Sequence, residues 1–253
     1  MKLRNLYTHI SGSSLYGAKA PKDKDLSTIC VFEELAEPRL YPKQRIEGIN
    51  FEPDGDKRYV DLCTFLTHLL NGHPMYIESL FVDKQFIVDY SDDFKSKIID
   101  KRHLFIDKST VAENTFLNTC PSRFTNVYNS KFLIKLPNNP HEKLIKLANN
   151  IESDCLKYGF YRKEVAHAFR TLLTVRNFLN TDVYENDISK ISEVDFEVYE
   201  ALMNFPEKIN FKDICDKINK IRDAIKDFRE SEDDKFSFDT GYCHQLIKEV
   251  YSV

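Results

Sequence analysis

Gly12-Ser13-Ser14-Leu15-Tyr16-Gly17, followed by Pro21 and by Asp23-Lys24-Asp25, is the segment of this chain that joins turn-forming residues to a spaced pair of acidic ones. An apolar run, Leu6 to Ile10, leads into it, and a second, Leu26 to Phe32, leads out. The order is that of a strand, a Gly-Ser turn, a short helix and a second strand carrying two carboxylates one residue apart. Gly12 permits close backbone approach and dihedrals that other residues avoid. Ser13 offers a hydroxyl and an N–H at a helix start, where unpaired N–H groups favour bound phosphate. On a strand, Asp23 and Asp25 project to one face. Two carboxylates so placed repel unless a cation sits between them. Mg²⁺ suits the pair, as a hard ion that prefers oxygen ligands and keeps waters for substrate phosphate. Each feature alone is also ordinary: Ser13 as a helix cap, Asp23-Lys24-Asp25 as a solvated turn. Coupled, with a strand before and after, they favour phosphate and metal chemistry.

A site for two Mg²⁺ ions requires a third carboxylate. Asp61 is the candidate, in the strand-like run Arg58 to Leu62, with capping of the helix that starts near Cys63 as its alternative role. Glu52, Asp54 and Asp56 are weaker rivals in a loop. His167 and Arg170, three apart, share a helix face with Lys163. That basic stripe either contacts phosphate or is a solvated face paired with nearby acids. Arg102 and Lys108 either reach a cleft or anchor a helix. The other histidines show no metal spacing, and no Ser-His-Asp or Cys-His set is evident.

The 253 residues suffice for one large domain or two small ones, and a 42% hydrophobic content supports a packed core. A net charge of −4 gives no global field that recruits nucleic acid. Trp is absent, while Lys, Asn, Ile, Phe and Tyr are abundant, a mix that fits an AT-rich genome such as a phage's. The six cysteines are scattered without a C-x-x-C pair or zinc spacing, which predicts reduced, mostly buried thiols in a cytoplasmic protein. There is no signal-peptide core and no membrane-length apolar run.

Strands are expected over residues 3–10, 26–33 and 58–62, with a loop or irregular hairpin over 39–55. Helices are expected over 63–70, ended by Asn71-Gly72, and over 94–101, 108–118, 141–158, 162–179 and 192–203. Phe211, Ile214, Cys215, Ile218, Ile221, Ile225 and Phe228 form the cleanest apolar stripe, opposite a face of alternating Lys and Asp. A short helix near 244–251 closes the chain. This predicts an α+β protein: a head over residues 1–92 with a small mixed sheet flanked by helices, then a mostly helical domain over 93–253.

The segment Gly12 to Leu26 resembles the polymerase-beta-like nucleotidyltransferase superfamily, whose core motif is Gly-Ser followed by a spaced acid-x-acid pair. Within it, the likeness is closer to a family of predicted nucleotidyltransferases found in bacteria and phages, some associated with RNA-repair genes. Gly12, Ser13, Tyr16, Gly17, Pro21, Asp23 and Asp25 match that family's first block. Later blocks are similar at Phe65-Leu66, Gly72-His73-Pro74, Glu78-Ser79-Leu80-Phe81, Arg102 to Lys108 and Lys163 to Arg170. His73 stands where Asn is usual, Asp107 where Ser is usual, and Lys24 at an often apolar place. The resemblance implies transfer of a nucleoside monophosphate from a nucleoside triphosphate to an acceptor hydroxyl, an RNA end among the candidates, with release of pyrophosphate. It implies Asp23, Asp25 and Asp61 as catalytic ligands of two Mg²⁺ ions, and Gly12, Ser13, Lys108, His167 and Arg170 as nucleotide contacts. The alternative is an inactive nucleotide-binding or phage-type interaction protein on the same fold.

Overall fold

The computed structural model describes residues 3–16, 25–34, 37–51, 55–121, 142–229 and 236–252. Gly17, Pro21, Asp23, Lys24, Glu52, Asp54, Pro140 and the Ser13 side chain lie outside that description. Five strands make one mixed sheet: β1 (Leu3–Ile10), β2 (Leu26–Phe32), β3 (Glu47–Asn50), β4 (Lys57–Asp61) and β5 (Ile87–Tyr90), in the order β3-β4-β2-β1-β5. Only β2 and β4 run parallel; the other pairs are antiparallel. The end of β1, the start of β2 and the start of β4 therefore share one edge of the sheet.

The two outer strands are not legible as strands in the sequence. The side chains of β3 and β5 are half-buried or exposed throughout, so neither shows the alternation that marks a half-buried strand. Their pairing with β4 and β1 places them. Gly48 fits because a Cβ there would run into the Tyr59 ring across the pair.

Helices α1 (Leu62–Leu70), α2 (Pro74–Glu78) and α3 (Asp92–Phe94) follow, then α4 (Lys108–Asn118), α5 (Glu142–Tyr158), α6 (Arg162–Thr181), α7 (Glu193–Asn204), α8 (Phe211–Arg229) and α9 (Thr240–Tyr251). The helix expected over 94–101 is shorter: α3 passes into a wider π turn, Lys95–Ile99. Ser192 caps α7 as its position suggests, accepting from Asp195 N–H. The stripe of α8 is buried at Ile214, Ile218, Ile221 and Ile225, against α4 and α6. One apolar cluster runs from Leu6 and Val31 in the sheet to Phe169 in α6 and Ile247 in α9. The six cysteines form no disulfide, and four are buried. No described helix is long and apolar enough to cross a membrane.

Asn71-Gly72 ends α1 as read. Gly72 takes φ +65°, and a Cβ there would lie 2.5 Å from the Thr110 carbonyl oxygen of α4. Gly159, between α5 and α6, also has a positive φ, +81°, but opens onto empty space. Gly72→Ala adds a clash with rigid backbone, about 1–3 kcal/mol, to left-handed strain of about 1–2 kcal/mol. Gly159→Ala carries only the strain. Chemical denaturation should show Gly72→Ala losing roughly twice the stability lost by Gly159→Ala; equal losses would contradict the packing described.

Candidate active site

The shared edge of the sheet is where the Gly-Ser turn meets the acidic residues. β1 ends at Ile10, and the chain turns at Gly12 (φ +74°) into a single 3-10 turn, Gly12–Tyr16. Ser11 N–H donates to the Asp25 carbonyl at 2.8 Å. A Cβ on Gly12 would lie 2.9 Å from Asp25 Oδ2, so only glycine brings the turn's backbone against that carboxylate. On the other flank, Asp56 N–H donates to Asp25 Oδ1 at 2.9 Å, and Leu26 N–H donates to the Asp56 carbonyl at 2.9 Å. Asp25 is thus clamped between the turn after β1 and the residue before β4. No donor among the described residues reaches its Oδ2.

Parallel register decides the third carboxylate. Leu26 pairs with Lys57 and Cys30 with Asp61, so Asp56 is level with Asp25. Asp61 lies five residues further along β4, roughly 16 Å away at the usual strand rise. The structure therefore does not bring Asp61 to Asp25. Asp61 is 1% exposed and fully engaged. Its Oδ1 accepts Cys63 N–H at 2.9 Å, capping α1, and its Oδ2 accepts Phe32 N–H at 2.9 Å and the Tyr251 hydroxyl at 2.5 Å. Burial, then Asp61's charge, pushes the Cys63 thiol up to about 12. The capping role, left open by the sequence, is the one the structure shows. Asp56, a weaker rival in the sequence, is the acidic residue whose backbone lies level with Asp25. Among the described residues no three His, Cys, Asp or Glu side chains gather as a metal site.

Arg170 and Lys108 are buried rather than open to a cleft. Arg170 donates to Glu78 Oε2 at 3.0 Å and lies 3.4 Å over the Tyr16 ring, while the Tyr16 hydroxyl donates to Glu78 Oε1 at 2.9 Å. Burial opposes the guanidinium charge, but the Tyr16 and Glu78 oxygens outweigh it and hold Arg170 charged. Arg170 therefore fastens the end of the Gly-Ser turn to α2 and α6 and leaves nucleotide contact to others. Glu78 had no assigned role in the sequence; only its place in a motif block marked it. Lys108 Nζ pairs with Asp182 and donates to the Leu179 carbonyl at 3.2 Å, which ties α4 to the end of α6. Arg102 lies 4.8 Å over the Phe81 ring, the anchoring alternative.

His167 remains beside the site. Its ring stands edge-on to Tyr16 with centroids 6.4 Å apart. Burial, then the nearby Arg170, Lys163 and Arg58 charges, depress it to about 3, so the imidazole is neutral. Arg58, on β4 opposite Ser27, was not singled out by sequence, because an exposed strand arginine has no motif. On the β1 side of the same edge, His9 bridges the Ile10 carbonyl (2.8 Å) and Ser79 Oγ (3.1 Å).

No family model matches the chain, and no curated protein does. The crystal structure of a nucleotidyltransferase-like protein from Exiguobacterium sibiricum 255-15 aligns with 98% of this chain and 73% of that chain. The identity is 10% and the TM-score 0.30, a likeness that carries no argument about fold or chemistry.

Two outcomes follow from these contacts. Asp61→Ala removes the α1 cap and strands the Phe32 N–H and Tyr251 hydroxyl. The expected loss is about 3 kcal/mol, read as a thermal midpoint roughly 6–12 °C lower; an unchanged midpoint would refute the capping role. His167 is depressed on folding, so its contribution to stability is complete above its unfolded value, about 6.5. That contribution fades as pH falls from there toward about 3. Thermal melts between pH 7 and 4 should fall less steeply in His167→Gln than in the wild type.

Proposed function

We propose that this chain is a metal-dependent nucleotidyltransferase whose reaction centre is the edge where Gly12, Asp25 and Asp56 meet. The observation that carries the reading is the level pairing of Asp25 with Asp56 beneath a glycine turn that no other residue could bring so near. The donor set fits a hard divalent ion: carboxylate oxygens from neighbouring strands, with Asp25 Oδ2 facing the turn. Asp25 and Asp56 would hold Mg²⁺, with Asp23, outside the described residues, as the further ligand expected from sequence. When bound, the metal would neutralise charge that develops on the reacting phosphate.

The chain's own groups account for the rest. Backbone N–H groups of Gly12 and Ser13 would receive the phosphate tail of a nucleoside triphosphate. Tyr16, Glu78 and Arg170 hold that turn in place. An acceptor hydroxyl oxygen attacks the α-phosphorus, a new P–O bond forms, and the bond to the β-phosphate oxygen breaks. Pyrophosphate leaves, and the hydroxyl proton passes to a carboxylate, for which Asp56 is the candidate base. The His167 ring, uncharged and close to the turn, suits hydrogen bonding to phosphate rather than ion pairing.

The test is Mg²⁺-dependent release of pyrophosphate, with each nucleoside triphosphate labelled at the α-phosphate and a mixed pool of RNA, protein and metabolites as acceptors. Wild type should transfer label, and Asp25→Asn should lose at least about 100-fold in rate. Equal silence of both proteins with every combination would favour the alternative of nucleotide binding without turnover.

A further inference from the structure

Ile10 and Ser11 share the last peptide group before Gly12, and both of its polar ends are held. The Ser11 N–H donates to the Asp25 carbonyl at 2.8 Å. The Ile10 carbonyl lies 2.8 Å from His9 Nδ1. A peptide group is planar, so holding its two ends fixes the plane from which the chain enters Gly12. Rotating that plane would break both bonds at once.

The chemistry of these groups decides the form of the His9 ring. A carbonyl oxygen only accepts, so Nδ1 carries the proton. The ring is 2% exposed, and burial lowers its pKa against the Ile10 bond and the Glu78 charge, which favour the imidazolium. In the neutral ring Nε2 keeps a lone pair, and the buried Ser79 hydroxyl, 3.1 Å away, donates to it. The Met75 carbonyl, at 3.5 Å, is the longer alternative for that one hydrogen. His9 therefore spans from the residue after α2 to the peptide that leads into the turn.

Glu78, next to Ser79 in the chain, accepts the Tyr16 hydroxyl at 2.9 Å. Two adjacent residues thus hold both ends of the Gly12–Tyr16 turn, Glu78 directly and Ser79 through His9. Resting on the proposed function, which puts the phosphate tail on this turn, we infer that His9 and Ser79 are positioning residues of the site. Ser79 holds the His9 ring, His9 sets the Ile10–Ser11 peptide, and that peptide aims the Gly12 and Ser13 N–H groups before any phosphate arrives. A turn ordered in advance spares the ligand the cost of ordering it.

The experiment begins with NMR of the isotope-labelled histidine rings in wild type at neutral pH. His9 should show a protonated Nδ1 and a bare Nε2; the Nε2–H form would overturn the inference, and this readout needs no variant to fold. The side-chain amide of Asn reaches the place of Nδ1 and that of Gln the place of Nε2. His9→Asn therefore keeps a donor for the Ile10 carbonyl, and His9→Gln does not. The Ser11 and Gly12 amide signals should stay near their wild-type positions in His9→Asn and shift in His9→Gln, with a smaller shift in Ser79→Ala. With the nucleoside triphosphate that wild type uses best, His9→Gln should raise KM at least about fivefold, the worth of roughly one hydrogen bond, with kcat within about twofold. His9→Asn should raise KM less than about twofold. Equal KM in the two variants, or Ser11 and Gly12 signals unmoved in His9→Gln, would make His9 a packing residue and overturn the inference. A wild type that transfers no label would sink the proposed function alone, and the ring and amide signals would still decide this one.

Discussion

The buried contact of Arg170 with Glu78 and Tyr16 is the constraint on which the rest of the molecule depends. A guanidinium 7% exposed and a carboxylate 4% exposed are tolerable because they pair, Nη1 to Oε2 at 3.0 Å, although the Arg170 Nε is left without an acceptor among the described residues. Tyr16 completes the arrangement, giving its hydroxyl to Glu78 and its ring face to Arg170. The three residues come from the turn after β1, from α2 and from α6. Joining them fixes the turn against the helical part, and the turn in turn sets Gly12 against Asp25. Removing any one partner would leave an uncompensated buried polar group, which costs more than the intact pair contributes.

The same constraint explains why the basic stripe on α6 divides. Lys163, His167 and Arg170 share a helix face, yet they do different work. Arg170 points into protein and acts through Tyr16. His167 stands at the rim, neutral because burial and three positive neighbours oppose its charge. Lys163 is in solvent. Periodicity placed all three on one face; depth along that face was set by what α2 and the Gly-Ser turn present opposite, which no spacing rule encodes.

Much of the architecture was legible because burial leaves a periodic trace. The stripe of α8, the cap at Ser192 and the stop at Asn71-Gly72 all lie where the residues indicated. The edge strands β3 and β5 were not, since a strand exposed on both faces has no alternation to read. The meeting of the Gly12 turn with Asp25 was legible from local chemistry alone. Which acidic residue stands level with Asp25 was not, because that depends on register between β2 and β4. One strand carries Asp56 at its start and Asp61 at its end. Sequence reveals an acid on a strand but not which end of a parallel neighbour it faces. Asp61 met the pattern of a ligand while serving as the cap of α1.

As proposed, divalent metal gathers at the Gly12–Asp25–Asp56 edge and not at Asp61. Paramagnetic relaxation by Mn²⁺, added well below one equivalent to isotope-labelled protein, tests this most directly. Amide signals of residues 11, 12, 25 and 56 should broaden first, with Phe32 and Cys63 affected last. Broadening that begins at Phe32 and Cys63, the two amides bonded to Asp61, would contradict it.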